Sequence, residues 1–141
     1  MILLKTAKDI MVKGVNVVAF SSDDSIREVI AKLAQTGFSG GPVVKGGKVV
    51  GVISESDIIT LADNSGKDDL EGFVGSAAVR KKASDVMSKK VVTVGPDADV
   101  GEIADKMSGK KVNRVIVVDS KGALLGLIAR DDIVEAAVSE L

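Results

Sequence analysis

Two stretches of this sequence carry the residue types and spacings that could do chemistry. Gly51-Val52-Ile53-Ser54-Glu55-Ser56-Asp57 recurs later as Gly126-Leu127-Ile128-Ala129-Arg130-Asp131-Asp132. Each reads as a short apolar strand that ends in a turn and enters a helix whose first turn holds an Asp. Such a turn presents free backbone N–H groups at the positive end of the helix dipole, where a small anionic or hydroxyl-rich ligand can be held. Asp57 has the lone pairs to accept hydrogen bonds from both hydroxyls of a vicinal diol such as a ribose, a role an acid plays in dinucleotide folds. The same residues admit a plainer reading, in which Ser54 caps the helix with its hydroxyl and Asp57 favours the dipole. The second copy retains Asp132 but has Ala129 in place of the hydroxyl. On this reading the cap cannot be what the copies have in common; the Asp, the apolar strand and the Gly are. Gly51 and Gly126 leave room for another backbone or a flat ligand to come close.

The rest of the composition narrows the chemistry. The chain has 141 residues with no Cys and no His, so disulfides and thiolate or imidazole metal sites are excluded. Carboxylates are the only strong metal ligands left, and adjacent ones such as Asp68 and Asp69 point apart, so no metal is expected. No nucleophile sits beside an evident base, so the chain is not read as an enzyme. With 19 basic and 20 acidic residues the net charge is −1, and three Phe are the only aromatics. Nucleic acid would find neither an electrostatic footprint nor stacking platforms, and is not expected as a partner. No apolar run approaches the roughly 20 residues of a membrane span. The Met1-Ile2-Leu3-Leu4 stretch is too short for a signal peptide. A cytoplasmic protein without a membrane partner is the expectation.

The elements that must position the two Asp residues repeat as well. Ala7, Ile10 and Met11 form a helical lead-in matched by Ala83, Val86 and Met87. Val15 to Phe20 reads as a strand, matched by Val91 to Val94. Ser25 with Glu28, and Asp99 with Glu102, have the spacing of helix-opening caps. Ile26, Val29, Ile30, Leu33 and Ala34 then share one face, as do Val100, Ile103, Ala104 and Met107. Gly37 and Gly109 stand where each periodicity stops, the place for a residue with positive φ. The apolar runs Pro42 to Val44 and Val115 to Val118 read as strands covered on both faces. Lys45 to Lys48 and Asp119 to Gly122 read as hairpin turns leading back into Val49 to Ile53 and Ala123 to Ile128. Each half is thus β-α-β-β-α, and because about 55 residues make a marginal fold alone, the halves are expected to pack sheet to sheet. The boundaries expected are residues 1–62 for the first repeat with its lead-in, 63–82 for a polar linker with a short helix in its second part, and 83–141 for the second repeat.

This duplicated pattern resembles a tandem pair of cystathionine β-synthase (CBS) domains, a Bateman module, from Ala7 to Val138. The resemblance is carried by Asp9-Ile10-Met11 and Asp85-Val86-Met87, by Gly40-Gly41-Pro42-Val43-Val44 and Asn113-Arg114-Val115-Ile116-Val117-Val118-Asp119, and by the two opening stretches. It implies a mixed α/β fold of two CBS repeats related by a pseudo-two-fold axis. It also implies clefts between them that bind adenosine derivatives such as AMP, ADP, ATP or S-adenosylmethionine, and homodimers in the shape of a flat disc. By the resemblance, Asp57 with Ser54, and Asp132, hold the ribose. Arg114 meets phosphate, with Asn113 beside it, while Gly40, Gly41 and Pro42 occupy the matching place in the first half. The base lies against the first strand near Val18 and Val92, the strand of one repeat completing the cleft that holds the other repeat's Asp.

The two halves depart from the pattern in different ways. The Asp57 half has its hydroxyl and Gly40 where a basic residue would stand; the Asp132 half has Arg114 and Ala129. Arg114 could alternatively pair with Asp131 or Asp132. Two functions therefore stand: a regulatory module that senses adenosine nucleotides and signals to a separate effector protein, or a ligand-free dimerisation or adaptor module with vestigial sites. The first requires that Asp57 and Asp132 not both be turned away from any hollow and locked in contacts with their own chain.

Overall fold

The structure, a computed structural model, describes residues 5–141; the apolar Met1 to Leu4 stretch lies outside them. In chain order the elements are α1 (Ala7–Ile10), β1 (Val12–Lys13), β2 (Phe20–Ser21), α2 (Ile26–Thr36), β3 (Gly40–Lys45), β4 (Lys48–Ser54), α3 (Glu55–Asp63), α4 (Leu70–Val74), α5 (Ala83–Val86), β5 (Thr93–Val94), α6 (Val100–Lys110), β6 (Arg114–Val118), β7 (Leu124–Ala129) and α7 (Arg130–Val138). The order β-α-β-β-α therefore occurs twice, each time after a one-turn lead-in helix. One sheet runs β2-β3-β4 and the other β1-β7-β6-β5. In each, the first strand of the repeat lies parallel to the second, with Phe20 opposite Val43 and Val94 opposite Val117.

Two compact units result, one of residues 18–46 and 50–90 and the other of residues 5–17, 47–49 and 91–141. They do not follow the sequence repeats, because the lead-ins change places. In the unit that holds the second repeat, the α1 N–H groups of Ala7 and Lys8 donate to the carbonyls of Ala98 (2.8 Å) and Pro96 (2.9 Å). Val12 then pairs antiparallel with Leu127, and Ala7 is fully buried among Val94, Ile103, Val115, Val117 and Ile128. In the unit that holds the first repeat, the N–H groups of Ala83 and Ser84 in α5 donate to Asp24 (2.7 Å) and Ser22 (3.1 Å), Ser88 bridges Val52, and Ala83 is buried with Phe20, Ile26, Val29, Val43 and Ile53.

The glycines of the repeated stretches are explained by these exchanges. A Cβ on Gly126 would stand 2.6 Å from the Val12 carbonyl oxygen and against the Met11 sulfur; one on Gly51 would stand 2.8 Å from the Ser88 carbonyl oxygen and against Met87. Of the two expectations for Gly51 and Gly126, close backbone approach is the one realised. The lead-in methionines are the side chains that fill the space.

The caps of α2 and α6 form as the spacing predicts: the Ser25 hydroxyl accepts from the Glu28 N–H at 3.1 Å and the Asp99 carboxylate from the Glu102 N–H at 2.8 Å. Ile26, Val29 and Leu33, like Ile103 and Met107, are the buried positions of those faces. Gly37 takes φ 73° beyond α2, as expected. Gly109 does not, because α6 continues through Lys110 and Lys111 takes the left-handed conformation at φ 54°. The strand expected over Val15 to Phe20 is also shorter. A 3-10 turn occupies Gly14–Asn16, closed by the Val17 N–H on the Gly14 carbonyl, and pairing begins only at Phe20. In the linker, Leu70–Val74 is helical and Ala77–Arg80 a 3-10 turn. Asp69 caps α4 through the Gly72 N–H at 2.7 Å.

Candidate functional site: the strand-to-helix turns

Both turns are built alike from the backbone outward. The first N–H of α3, on Glu55, donates to the Ser39 carbonyl at 2.8 Å; that of α7, on Arg130, donates to the Asn113 carbonyl at 3.1 Å. The residue entering each helix is extended, Ser54 with φ −141° and Ala129 with φ −102°. Its own N–H turns back onto the Asp three residues later: Ser54 N–H to Asp57 Oδ2 at 2.9 Å, Ala129 N–H to Asp132 Oδ2 at 2.7 Å.

This corrects the inference that a cap cannot be what the copies share. The cap they share is made by the carboxylate, which accepts from the entering backbone N–H and needs no hydroxyl. The device recurs at the lead-ins, where Thr6 N–H donates to Asp9 at 2.8 Å and Lys82 N–H to Asp85 at 3.0 Å. At Ser54 the hydroxyl lies 2.8 Å from the Ser56 hydroxyl and 3.4 Å from Asp57 Oδ2, and does not cap the helix. Asp57 and Asp132 are both half-buried. Among the described residues, each accepts through Oδ2 alone, so Oδ1 keeps its lone pairs for a further donor.

The other expected residues divide between the units. Gly40, Gly41 and Pro42 are buried at the start of β3, with Gly40 against Ser54: a Cβ there would meet the Ile53 carbonyl at 2.7 Å. Gly41 abuts the Val18 carbonyl so closely that no side chain fits. Val18, Ser54 and Asp57 thus belong to one unit; Val92, Asn113, Arg114 and Asp132 belong to the other. Arg114 opens β6 directly opposite Ala129, the place that Gly40 takes beside Ser54. Asn113 borders a groove between α6 and α7 together with Lys111 and Arg130. The first-strand carbonyls differ. Val92 accepts from the Ile116 N–H at 3.0 Å, whereas the matching residue in the first repeat is Pro42, which has no N–H to give.

One pair of residues was missed in the sequence. Lys32 Nζ donates to the Ala19 carbonyl at 2.6 Å, over the Phe20 ring at 5.4 Å, and Lys106 Nζ donates to the Thr93 carbonyl at 2.6 Å. Each ties a long helix to the backbone just after Val18 or Val92. Both lie seven residues after their caps, Ser25 and Asp99, so the repeat itself held the signal. Two carboxylates outside these turns have depressed pKa values. Asp9 is lowered chiefly by the Thr6 backbone N–H, and Asp119 by the N–H groups of Ala123 and Lys121 that it accepts in the β6–β7 turn. Among the described residues, no helix is long and apolar enough to cross a membrane.

Comparison with known proteins bears on the same segments. An uncharacterized protein of Methanocaldococcus jannaschii is 32% identical, over 93% of this chain and 90% of its own length. An inosine-5'-monophosphate dehydrogenase of Korarchaeum cryptofilum is 30% identical over 92% of this chain, which spans only 24% of that enzyme. Among solved structures, CBSX2, a CBS-pair protein of Arabidopsis thaliana, in complex with AMP superposes with TM-score 0.80 at 26% identity, covering 96% of this chain and 97% of that one. The CBS domain pair of another M. jannaschii protein, in complex with 5'-methylthioadenosine and S-adenosyl-L-methionine, does so with TM-score 0.77 at 25% identity, covering 99% and 100%. The CBS domain profile matches residues 7–64 and again 83–139, and the chain therefore belongs to the CBS-domain family as a tandem pair of its repeats.

Proposed function

We propose that this chain is a regulatory module that binds adenosine nucleotides and passes their binding on to an effector protein in trans, working as a homodimer. The observation that carries the proposal is the doubled turn in which a half-buried Asp accepts its own backbone N–H through one carboxylate oxygen and keeps the lone pairs of the other. That oxygen is suited to a ribose hydroxyl, and the fixed cap holds it in place before the ligand arrives. Around Asp57 the Ser54 hydroxyl adds a second polar contact, and the Val18 segment, held through Ala19 by Lys32, offers an apolar edge to a base within the same unit, in place of the crossed pairing of strand and Asp that the resemblance implies. Around Asp132 the cation Arg114 stands beside the turn where a phosphate would come, with the Val92 segment held through Thr93 by Lys106. AMP and ATP are the expected ligands, with S-adenosylmethionine as a further one. The relatives crystallised with AMP and with methylthioadenosine and S-adenosylmethionine support this reading.

A ligand of this kind acts by binding one conformation better than another, and a partner protein reads the shift. No catalytic role is assigned to the turns. Isothermal titration with AMP, ATP and S-adenosylmethionine tests the proposal. Saturable binding that weakens on replacing Asp57 or Asp132 is expected. No heat and no thermal shift with any of the three would leave the adaptor reading in its place.

A further inference from the structure

The two turns share their hydrogen bonds and differ in charge. Gly37 closes α2 where Lys111 closes α6, Gly40 begins β3 where Arg114 begins β6, and Glu55 begins α3 where Arg130 begins α7. At each of these matching positions the second repeat has a cation where the first has a glycine or a carboxylate; Ser56 and Asp131 run the other way. The first turn, with Glu55 and Asp57, stands at −2, whereas the second, with Lys111, Arg114 and Arg130 against Asp131 and Asp132, stands at +1. The cations gather at the turn: Arg114 lies opposite Ala129, and Lys111 and Arg130 line one groove with Asn113. Lys32 and Lys106 do not alter the contrast, since each repeat has one and each is bound to a backbone carbonyl at 2.6 Å. Lys111 also holds a left-handed backbone at φ 54°, a conformation that the glycine at the same place in the first repeat adopts without strain.

From this contrast we infer that the two turns sort adenosine derivatives by charge. The Asp132 turn takes a phosphorylated nucleotide such as AMP. The Asp57 turn takes an adenosine whose 5′ substituent carries no negative charge, neutral or cationic as in the sulfonium of S-adenosylmethionine. The inference rests on the adenosine binding proposed above and assigns a ligand class to each turn. A 5′-phosphate carries nearly two negative charges at neutral pH. At a separation of roughly 8 Å, in a water-like dielectric and about 0.1 M salt, one pair of unit charges changes affinity by about 1.5-fold. Two charges on the phosphate facing a difference of three between the turns amount to about tenfold. The Ser54 hydroxyl fits the same division, since it gives the Asp57 turn an uncharged polar group beside Gly40.

Isothermal titration of AMP and of adenosine into Asp57→Asn and into Asp132→Asn, at about 0.1 M salt, tests the division, because the two compounds differ only in the phosphate. The ratio of AMP affinity to adenosine affinity is expected to be about tenfold higher in Asp57→Asn, which keeps the second turn intact, than in Asp132→Asn. At about 1 M salt the two ratios should come within about twofold of each other. Ratios that already agree within about twofold at the lower salt, or that fall in the opposite order, overturn the division and leave adenosine binding standing. A variant that binds neither compound overturns the ligand class assigned to its remaining turn, and failure of the unsubstituted chain to bind either compound removes the reading beneath it. As a second measurement, Glu55→Arg in the Asp132→Asn chain strengthens AMP binding by about fivefold and leaves adenosine within about twofold. Lys111→Gly in the Asp57→Asn chain weakens AMP binding by about twofold without lowering the melting temperature. An AMP affinity unmoved by both changes refutes the sorting by charge.

Discussion

Replacing the two turn carboxylates separates their structural work from their ligand work. In Asp57→Ala the Ser54 N–H loses its acceptor, and in Asp132→Ala the Ala129 N–H loses its own. Loss of a cap of this kind costs about 1 kcal/mol. For 141 residues, unfolding entropy of roughly 2.1 cal/mol/K per residue amounts to about 0.3 kcal/mol/K, so each variant should melt about 3 °C below the parent without ligand. With AMP at a hundredfold excess over Kd, an occupied site adds about 2.7 kcal/mol, or roughly 9 °C on the same scale. Loss of a hydrogen bond to a charged acceptor costs about 1.5–3 kcal/mol, and near the upper end of that range binding weakens about a hundredfold. At the same AMP concentration the site is then half filled and contributes only about 0.4 kcal/mol, roughly 1 °C. Asp→Asn provides the control, since its amide oxygen can still accept the backbone N–H: melting without ligand stays within about 1 °C of the parent while most of that site's share of the AMP shift is lost. Differential scanning fluorimetry on the four single variants and the Asp57→Ala/Asp132→Ala double variant reads all of this. If the double variant melts lower without ligand but keeps the full AMP shift, the carboxylates are caps and nothing more, and the ribose assignment is wrong.

Acid should act through Asp9 and Asp119. Both have folded pKa values below the ordinary 3.8, so the stability they lend is complete above that value and is lost as pH falls through the lower folded value. The Asp9→Asn/Asp119→Asn double variant should therefore show a shallower fall of Tm between about pH 4 and pH 2 than the parent, and an unchanged slope would contradict the assignment. Gly126→Ala should destabilise by about 2 kcal/mol or more in urea unfolding, since a Cβ there meets the Val12 carbonyl and Met11; a change under about 0.5 kcal/mol would mean that the β1–β7 approach is slack. Lys111→Gly should stabilise by about 0.5–1 kcal/mol by relieving a left-handed non-glycine residue, and a loss of stability there would show the lysine side chain matters more than its backbone.

The parts of the fold legible in the sequence are those fixed by short-range physics. Ser25 and Asp99 open their helices because a side-chain acceptor three residues ahead of an N–H is a local matter. Ile26, Val29 and Leu33 are buried because helical periodicity puts them on one face. Val15 to Phe20 was misread because β-branched residues favour strands only where a partner strand runs alongside; the chain turns at Gly14–Asn16 and meets its partner at Phe20. Gly109 was misread because a glycine inside a helix resembles one just past its end, and here the hydrogen bonding of α6 outlasts the apolar pattern. At the turns the sequence indicated which residues matter but misassigned one of their bonds. Ala129 suggested that the cap had been lost, when the cap had never depended on the hydroxyl. Gly51 and Gly126 stood out as repeated glycines, yet what comes close to them, Met87 with Ser88 and Met11 with Val12, is set by contacts distant in sequence.

The exchange of lead-in segments decides how such a chain can come apart. A protease cutting the loop around Asn64 to Asp69 would release no independent half, because Ala7 is sealed inside the second repeat and Ala83 inside the first. The nicked fragments should stay threaded together until both lead-ins are pulled out.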